Sequence, residues 1–288
     1  MVTLGEALLE LGEGPGYDPL TNMAWWFDIL GKRLFLHAVG QAWTEVFELP
    51  FAASAMSYIK DRPGQLLLAE DGLYLRDTTT GALDLHLALP MHAGGIKTRS
   101  NDARVHPSGA FWVSTMGWNA EDGAGSIYHY RAGRLQLLRD GISIPNAICF
   151  APGGRVAYFA DTARAIVFRV ETDPATGLPI SEPEVFLSDF DGGPDGAVTD
   201  RAGNIWIAIW GGRRVAGFSA DGRPIGELRV PATQPSCPAF IGADARQMLV
   251  TTARVGLTED QLAAAPDEGA TFVLGLAFQG KHDPRVVV

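Results

Sequence analysis

No stretch of the 288-residue chain approaches the roughly 20 consecutive apolar residues of a membrane-spanning helix, so a helical membrane span is excluded. No cluster of lysine and arginine stands out either, and the formal net charge is −10. A field of that sign repels nucleic acid and anionic membranes, so neither is an expected partner. Only two cysteines are present, Cys149 and Cys237, far apart and each among apolar neighbours. They read as buried free thiols, not as a disulfide framework. The opening Met1-Val2-Thr3-Leu4-Gly5-Glu6 has neither a basic n-region nor an apolar h-region, and no Asn-x-Ser/Thr sequon occurs. The expectation is a cytoplasmic protein with no obligate protein partner. Several chemistries lack their signatures: there is no Gly-x-Ser-x-Gly elbow, no Walker loop and no histidine pair at zinc-binding helical spacing. Ser57-Tyr58-Ile59-Lys60 has the Ser-x-x-Lys spacing but none of its companion motifs, and is coincidence. Asp189-Phe190-Asp191-Gly192 opens like a calcium loop, yet the glycine and closing glutamate of an EF-hand are misplaced. Helical pattern is confined to residues 258–265, with Thr258 as the cap and Pro266 as the stop.

What the chain does have is glycine, 34 of them, with 18 prolines scattered singly. That distribution fits many tight turns between short strands. The strands themselves recur. Ala24-Trp25-Trp26-Phe27, Leu66-Leu67-Leu68-Ala69, Phe111-Trp112-Val113-Ser114, Val156-Ala157-Tyr158-Phe159, Ile205-Trp206-Ile207-Ala208 and Met248-Leu249-Val250-Thr251 are apolar cores. Centred on 26, 67, 112, 158, 206 and 249, they are 41, 45, 46, 48 and 43 residues apart. A period in the forties, with several strands per unit, is the signature of propeller blades. Glycine-bearing turns such as His106-Pro107-Ser108-Gly109 and Ala151-Pro152-Gly153-Gly154 precede the cores. Further strands follow them, such as Ser126-Ile127-Tyr128-His129-Tyr130 and residues 165–170. The expected fold is all-β, a six-bladed β-propeller forming one domain over residues 1–288. On the repeat alone, a β-sandwich or two stacked barrels stays open.

Four polar clusters stand at the starts of these units: Leu11-Gly12-Glu13-Gly14-Pro15, Arg99-Ser100-Asn101-Asp102, Ile144-Pro145-Asn146-Ala147 and Gly193-Pro194-Asp195-Gly196. In a propeller, such residues meet at one end of the central channel. Carboxylate and carboxamide oxygens converging there suit a hard divalent cation. Taken singly, each reads first as a turn residue: Glu13 as a solvated loop acid, Asn146 as a turn amide, Asp195 as the centre of Pro-Asp-Gly.

The same stretches carry a resemblance. Residues 11–28 (LGEGPGYDPLTNMAWWFD), 99–116 (RSNDARVHPSGAFWVSTM), 145–162 (PNAICFAPGGRVAYFADT) and 194–212 (PDGAVTDRAGNIWIAIWGG) resemble, in order and spacing, the gluconolactonase and regucalcin (senescence marker protein) family of six-bladed propeller lactonases. Thr251-Thr252-Ala253-Arg254 and the following Leu262-Ala263-Ala264-Ala265-Pro266 extend the match. The resemblance implies Glu13, Asn146 and Asp195 as ligands of one divalent metal ion, whether calcium, zinc, manganese or magnesium. It implies Arg99 and Asn101 as substrate contacts and a sugar lactone as substrate. Two departures are visible. Ala147 follows Asn146 where the family often has glycine. Where some members carry a glutamate after Thr115-Met116, this chain reads Gly117-Trp118-Asn119-Ala120-Glu121, so Asn119 or Glu121 takes that substrate-binding place. Asp195 is the expected general base, since a carboxylate beside a metal can take a proton from the attacking water. Trp118 and Met116 are candidate pocket walls. The alternatives are a calcium-binding or ligand-sensing propeller without turnover, and a related esterase or phosphotriesterase.

Overall fold

The fold is described by a computed structural model covering residues 1–275 and 278–288. Strand takes 53% of the chain and helix 3%, as the scarce helical periodicity predicts. Six antiparallel sheets follow one another along the chain as the blades of a six-bladed β-propeller. The predicted apolar cores all fall in the second strand of their blades: Met23–Asp28, Gln65–Ala69, Phe111–Gly117, Val156–Asp161, Ile205–Trp210 and Gln247–Thr252. The innermost strands come just before them: Gly12–Asp18, Ala53–Tyr58, Ile96–Val105, Pro145–Phe150, Gly193–Thr199 and Pro235–Ile241. The stretch at 126–130 lies in a third strand, Gly125–Arg131, and that at 165–170 does so from Ile166 on, in Ile166–Glu171, with Ala165 ending the turn before it.

Burial grades outward along each blade. Pro145–Phe150 is buried throughout, whereas its outermost partner Glu184–Leu187 is exposed or half-buried. The hydrophobic effect therefore acts mainly between faces of neighbouring blades. Trp112 meets Phe150 edge-on with ring centroids 5.3 Å apart, joining the third blade to the fourth. The ring closes through Val2–Thr3, which pairs with Phe272–Leu274 as the outer strand of the last blade. The one α-helix among the described residues, Glu259–Ala264, has Thr258 and Gln261 in a reciprocal capping box. Cys149 and Cys237 are buried free thiols, as read from their neighbours. Among the described residues, no helix is long and apolar enough to cross a membrane.

Residues 279–288 run under the end of the channel opposite the polar clusters and bind five blades. Arg285 forks onto Asp18 of the first blade through Nε and Nη2, both at 2.8 Å. Val286 exchanges backbone bonds with Tyr58 and Lys60 of the second, and Val287 with Gly109 and Ala132 of the third. Arg201 of the fifth donates to the Gln279 carbonyl, and His282 bonds the Gly242 carbonyl of the sixth.

Candidate active site

Each inner strand breaks register with its neighbour near the same end. The shifts fall between Glu13 and Gly16, Ser100 and Ala103, Asn146 and Cys149, and Pro194 and Ala197. These are β-bulges, which bend a strand and re-aim its side chains. They come in two conformations. Gly14 and Ala147 take positive φ, 53° and 52°, and the polar residue just before them is Glu13 or Asn146. In the other two, no residue takes positive φ, and the bulged residue itself is Asn101 or Asp195. The bulge is tight at Gly14, where an added Cβ would lie 1.9 Å from the Ser54 carbonyl oxygen. At Ala147 a methyl is accommodated in the left-handed region, which explains how the departure from Asn-Gly is tolerated at a modest cost.

A cavity of about 340 Å³ opens at this end of the channel, and Glu13, Arg99, Asn101, Asn119, Asn146 and Asp195 all line it. Glu121 is not among the lining residues. It folds back on its own turn, where Oε2 accepts from the Asn119 backbone N–H at 3.1 Å and Oε1 from Asn119 Nδ2 at 3.0 Å. Met116 and Trp118 are also in the wall. Trp118 lies beneath two cations, Lys97 Nζ at 5.6 Å and Arg99 Cζ at 6.0 Å from its ring centre.

The floor is a directed chain of hydrogen bonds. Arg99 Nη1 donates to the Ser100 carbonyl at 2.7 Å and to Asn101 Oδ1 at 3.0 Å. Asn101 Nδ2 donates to Asn146 Oδ1 at 2.8 Å and to the Pro145 carbonyl at 3.0 Å. Asn146 Nδ2 donates to Thr162 Oγ1 at 2.9 Å, and Thr162 passes its own proton to the Pro194 carbonyl at 2.7 Å. The chain fixes which way each amide faces. Thr162, just after the second strand of the fourth blade, belongs to the site but carried no sequence signal, because its partners Asn146 and Pro194 are remote in the chain.

Glu13 and Asp195 are both buried. Burial pushes the Glu13 carboxyl up to about 8, with the charge of Asp102 adding to the effect. Asp195 is raised well above the usual carboxylate range, first by burial and then by the charge of Glu13. Burial brings Arg99 down to about 10, so it stays cationic near neutral pH. Two desolvated carboxylates that repel one another are relieved by a cation between them. Among the described residues no three His, Cys, Asp or Glu side chains gather to bind a metal. The groups that could hold a cation here are the two carboxylates and the fixed carboxamide oxygen of Asn146. Such an all-oxygen set fits a hard divalent cation.

Beneath the floor, Arg104 crosses the channel. Its guanidinium donates to Asp283 Oδ2 at 3.0 Å, the Ala197 carbonyl at 3.1 Å and the Ile148 carbonyl at 3.4 Å. Asp102 accepts from the Ile148 N–H at 2.7 Å and the Ala103 N–H at 2.8 Å. Asp102 stood in the second polar cluster without a role of its own, and Arg104 did not stand out, since its partners lie in other blades and in residues 279–288.

The chain is similar to known proteins over most of its length. The pattern of the SMP-30/Gluconolactonase/LRE-like region matches residues 11–254. The chain is 46% identical to a candidate sugar lactone lactonase of Rhizobium meliloti (strain 1021), over 98% of this chain and 95% of that one. It is 32% identical to an L-arabinolactonase of Azospirillum brasilense, over 96% and 91%. The crystal structure of a calcium-binding protein, regucalcin, from Agrobacterium tumefaciens str. C58 superposes with a TM-score of 0.95 at 45% identity, covering 99% and 97%.

Proposed function

The chain belongs to the SMP-30/gluconolactonase/LRE-like family, and from that premise we propose that it is a lactonase that opens sugar-acid lactones to the free acid. The substrate class is an aldonolactone of the glucono-, galactono-, arabinono- or xylonolactone kind, and the site is the cavity at the bulged end of the channel. The observation that carries this reading is the convergence of Glu13 and Asp195 on one cavity, two buried carboxylates each raised first by burial and then by a neighbouring carboxylate, Asp102 for Glu13 and Glu13 for Asp195, with a fixed Asn146 oxygen and Arg99 beside them. Glu13, Asn146 and Asp195 would hold one divalent cation, calcium, zinc, manganese or magnesium. When bound, such a cation polarises a carbonyl and makes water more acidic.

The protein's own groups supply the rest. Asp195 accepts the proton of the attacking water, and the water oxygen adds to the lactone carbonyl carbon. Arg99 has N–H groups beyond Nη1 to give to a hydroxyl or to the carboxylate of the product. Asn101 holds Arg99 and Asn146 in register from a single amide. Ring opening then returns the proton to the alkoxide that leaves, which is the product's own hydroxyl.

The test is a panel of aldonolactones followed by pH-stat, using chelated protein restored in turn with calcium, zinc, manganese or magnesium. Hydrolysis that depends on metal and disappears in Asp195→Asn, with the melting transition retained, is the expected result. No turnover of any lactone with any metal would replace this reading with that of a ligand-binding propeller.

A further inference from the structure

The hydrogen-bonding capacity of the cavity floor is largely used up inside the protein. Both protons of Asn101 Nδ2 are given away, one to Pro145 and one to Asn146. Asn146 Nδ2 is engaged by Thr162, and the hydroxyl of Thr162 by Pro194. Asn119 Nδ2 is turned onto Glu121. On the floor, among the described residues, this leaves the Nε and Nη2 groups of Arg99 as the free charged donors, beside one remaining amide proton on Asn146; higher up, one amide proton of Asn119 and the indole N–H groups of Trp118 and Trp210 are also unengaged. The Arg99 groups lie beside the carboxylates.

The walls above the floor are apolar. Leu11, Leu30, Met116, Ile144, Trp210 and Val255 line the cavity, contributed by the first, third, fourth, fifth and sixth blades. Trp118, Trp210 and Val255 also pack together against a buried cluster of Leu11, Ile29, Ala52 and Ala253. The apolar surface is therefore a built shell around the opening rather than one stray side chain.

From this division we infer that the site selects lactones that keep hydroxyls near the carbonyl but end in an apolar group, the 6-deoxyhexonolactones being the simplest such class. The inference rests on the lactonase reading above. A hydroxyl beside the carbonyl reaches Arg99. A hydroxyl at the far end of a hexonolactone that meets Leu30 or Val255 finds no partner there to replace its water. A methyl in that place gains contact area instead. Discrimination by one such group is typically about tenfold or more.

The experiment compares kcat/KM of metal-loaded protein on a hexono-δ-lactone and on its 6-deoxy counterpart of the same configuration. The expected ratio favours the 6-deoxy compound by about tenfold. In the double variant Leu30→Asn, Val255→Thr the ratio should contract several-fold towards unity, because both changes put polar groups into the wall on side chains of the same branched shape. A parent ratio of one or below, or a ratio untouched by the double variant, overturns the inference while leaving lactone hydrolysis in place. Absence of hydrolysis of both compounds overturns the inference, whereas only absence of turnover across the whole aldonolactone panel overturns the lactonase reading beneath it.

Discussion

Replacing Arg104 by methionine tests how the channel under the site is held together. Arg104 is 6% exposed and spans four partners: the Asp283 carboxylate, the Ala197 carbonyl, the Ile148 carbonyl and the Cys237 sulfur. Methionine keeps the packing of the stem and removes the charge. Asp283 then loses the group that holds its carboxyl below the usual range against burial, and Asp102 loses the strongest influence opposing its own upward shift. Removing one partner of a buried ion pair costs roughly 3–5 kcal/mol. Asp283 is 29% exposed, so water takes over part of its solvation and the lower end, about 3 kcal/mol, applies. At roughly 2–4 °C per kcal/mol for large domains, the thermal midpoint should fall by ~6–12 °C. The double variant Arg104→Met, Asp283→Leu removes both charges and should regain at least half of that loss, because apolar replacement of a buried pair is often neutral. Thermal unfolding followed by far-UV circular dichroism reads both. A single variant melting within ~2 °C of the parent, or a double variant no better than the single, would refute the argument.

Two further outcomes follow from the bulges and the seams. Gly14→Ala forces a methyl onto the Ser54 carbonyl at the junction of the first two blades, beside Glu13. It should cost more than about 3 kcal/mol and lower divalent-cation affinity together with stability, read by thermal melting and metal titration. An unchanged midpoint would contradict the close approach of that turn to the second blade. His106 joins the third blade to the fourth: Ser108 donates its backbone N–H to Nδ1 at 3.0 Å, so Nε2 carries the proton and donates to the Gly154 carbonyl at 2.9 Å. Burial lowers its pKa below the ordinary 6.5. The folded state thus resists a proton that the unfolded chain accepts, so this contribution to stability is present above pH 6.5 and is lost as pH falls below it. Stability should drop with acid by up to about 1.4 kcal/mol per pH unit from this group, and the His106→Gln variant should show a shallower drop. Equal slopes for parent and variant would rule His106 out as the source.

The architecture was legible because every blade repeats one demand, an apolar second strand sandwiched between neighbours. Trp26, Leu67, Trp112, Tyr158, Trp206 and Leu249 all answer it, and their spacing is a blade length. The cavity was legible in part. Glu13, Arg99, Asn101, Asn119, Asn146 and Asp195 reach it, whereas Glu121 serves to hold Asn119. What stayed hidden is whatever depends on a partner remote in the chain: Thr162 across from Asn146, Arg104 against Asp283, and the shell formed by Leu30, Trp210 and Val255. Local pattern carries no record of such pairings.

The two bulge conformations account for why the polar clusters look unalike in sequence although they serve one place. In Gly12-Glu13-Gly14 and Pro145-Asn146-Ala147 the left-handed residue follows the polar one, so the presented side chain precedes the bulge. In Ser100-Asn101-Asp102 and Pro194-Asp195-Gly196 the polar residue is the bulge. Aligning the clusters on their turn residues therefore puts the cavity-lining side chains one place out of step. The left-handed position also separates two roles that composition confuses. At Gly14 a side chain is barred by the Ser54 carbonyl, whereas at Ala147 the fourth blade leaves room for a methyl that packs among Cys149, Tyr158 and Ala197. The departure at Ala147 thus exchanges some backbone ease for buried contact, and it does so without moving Asn146, whose amide stays fixed by Asn101 on one side and Thr162 on the other.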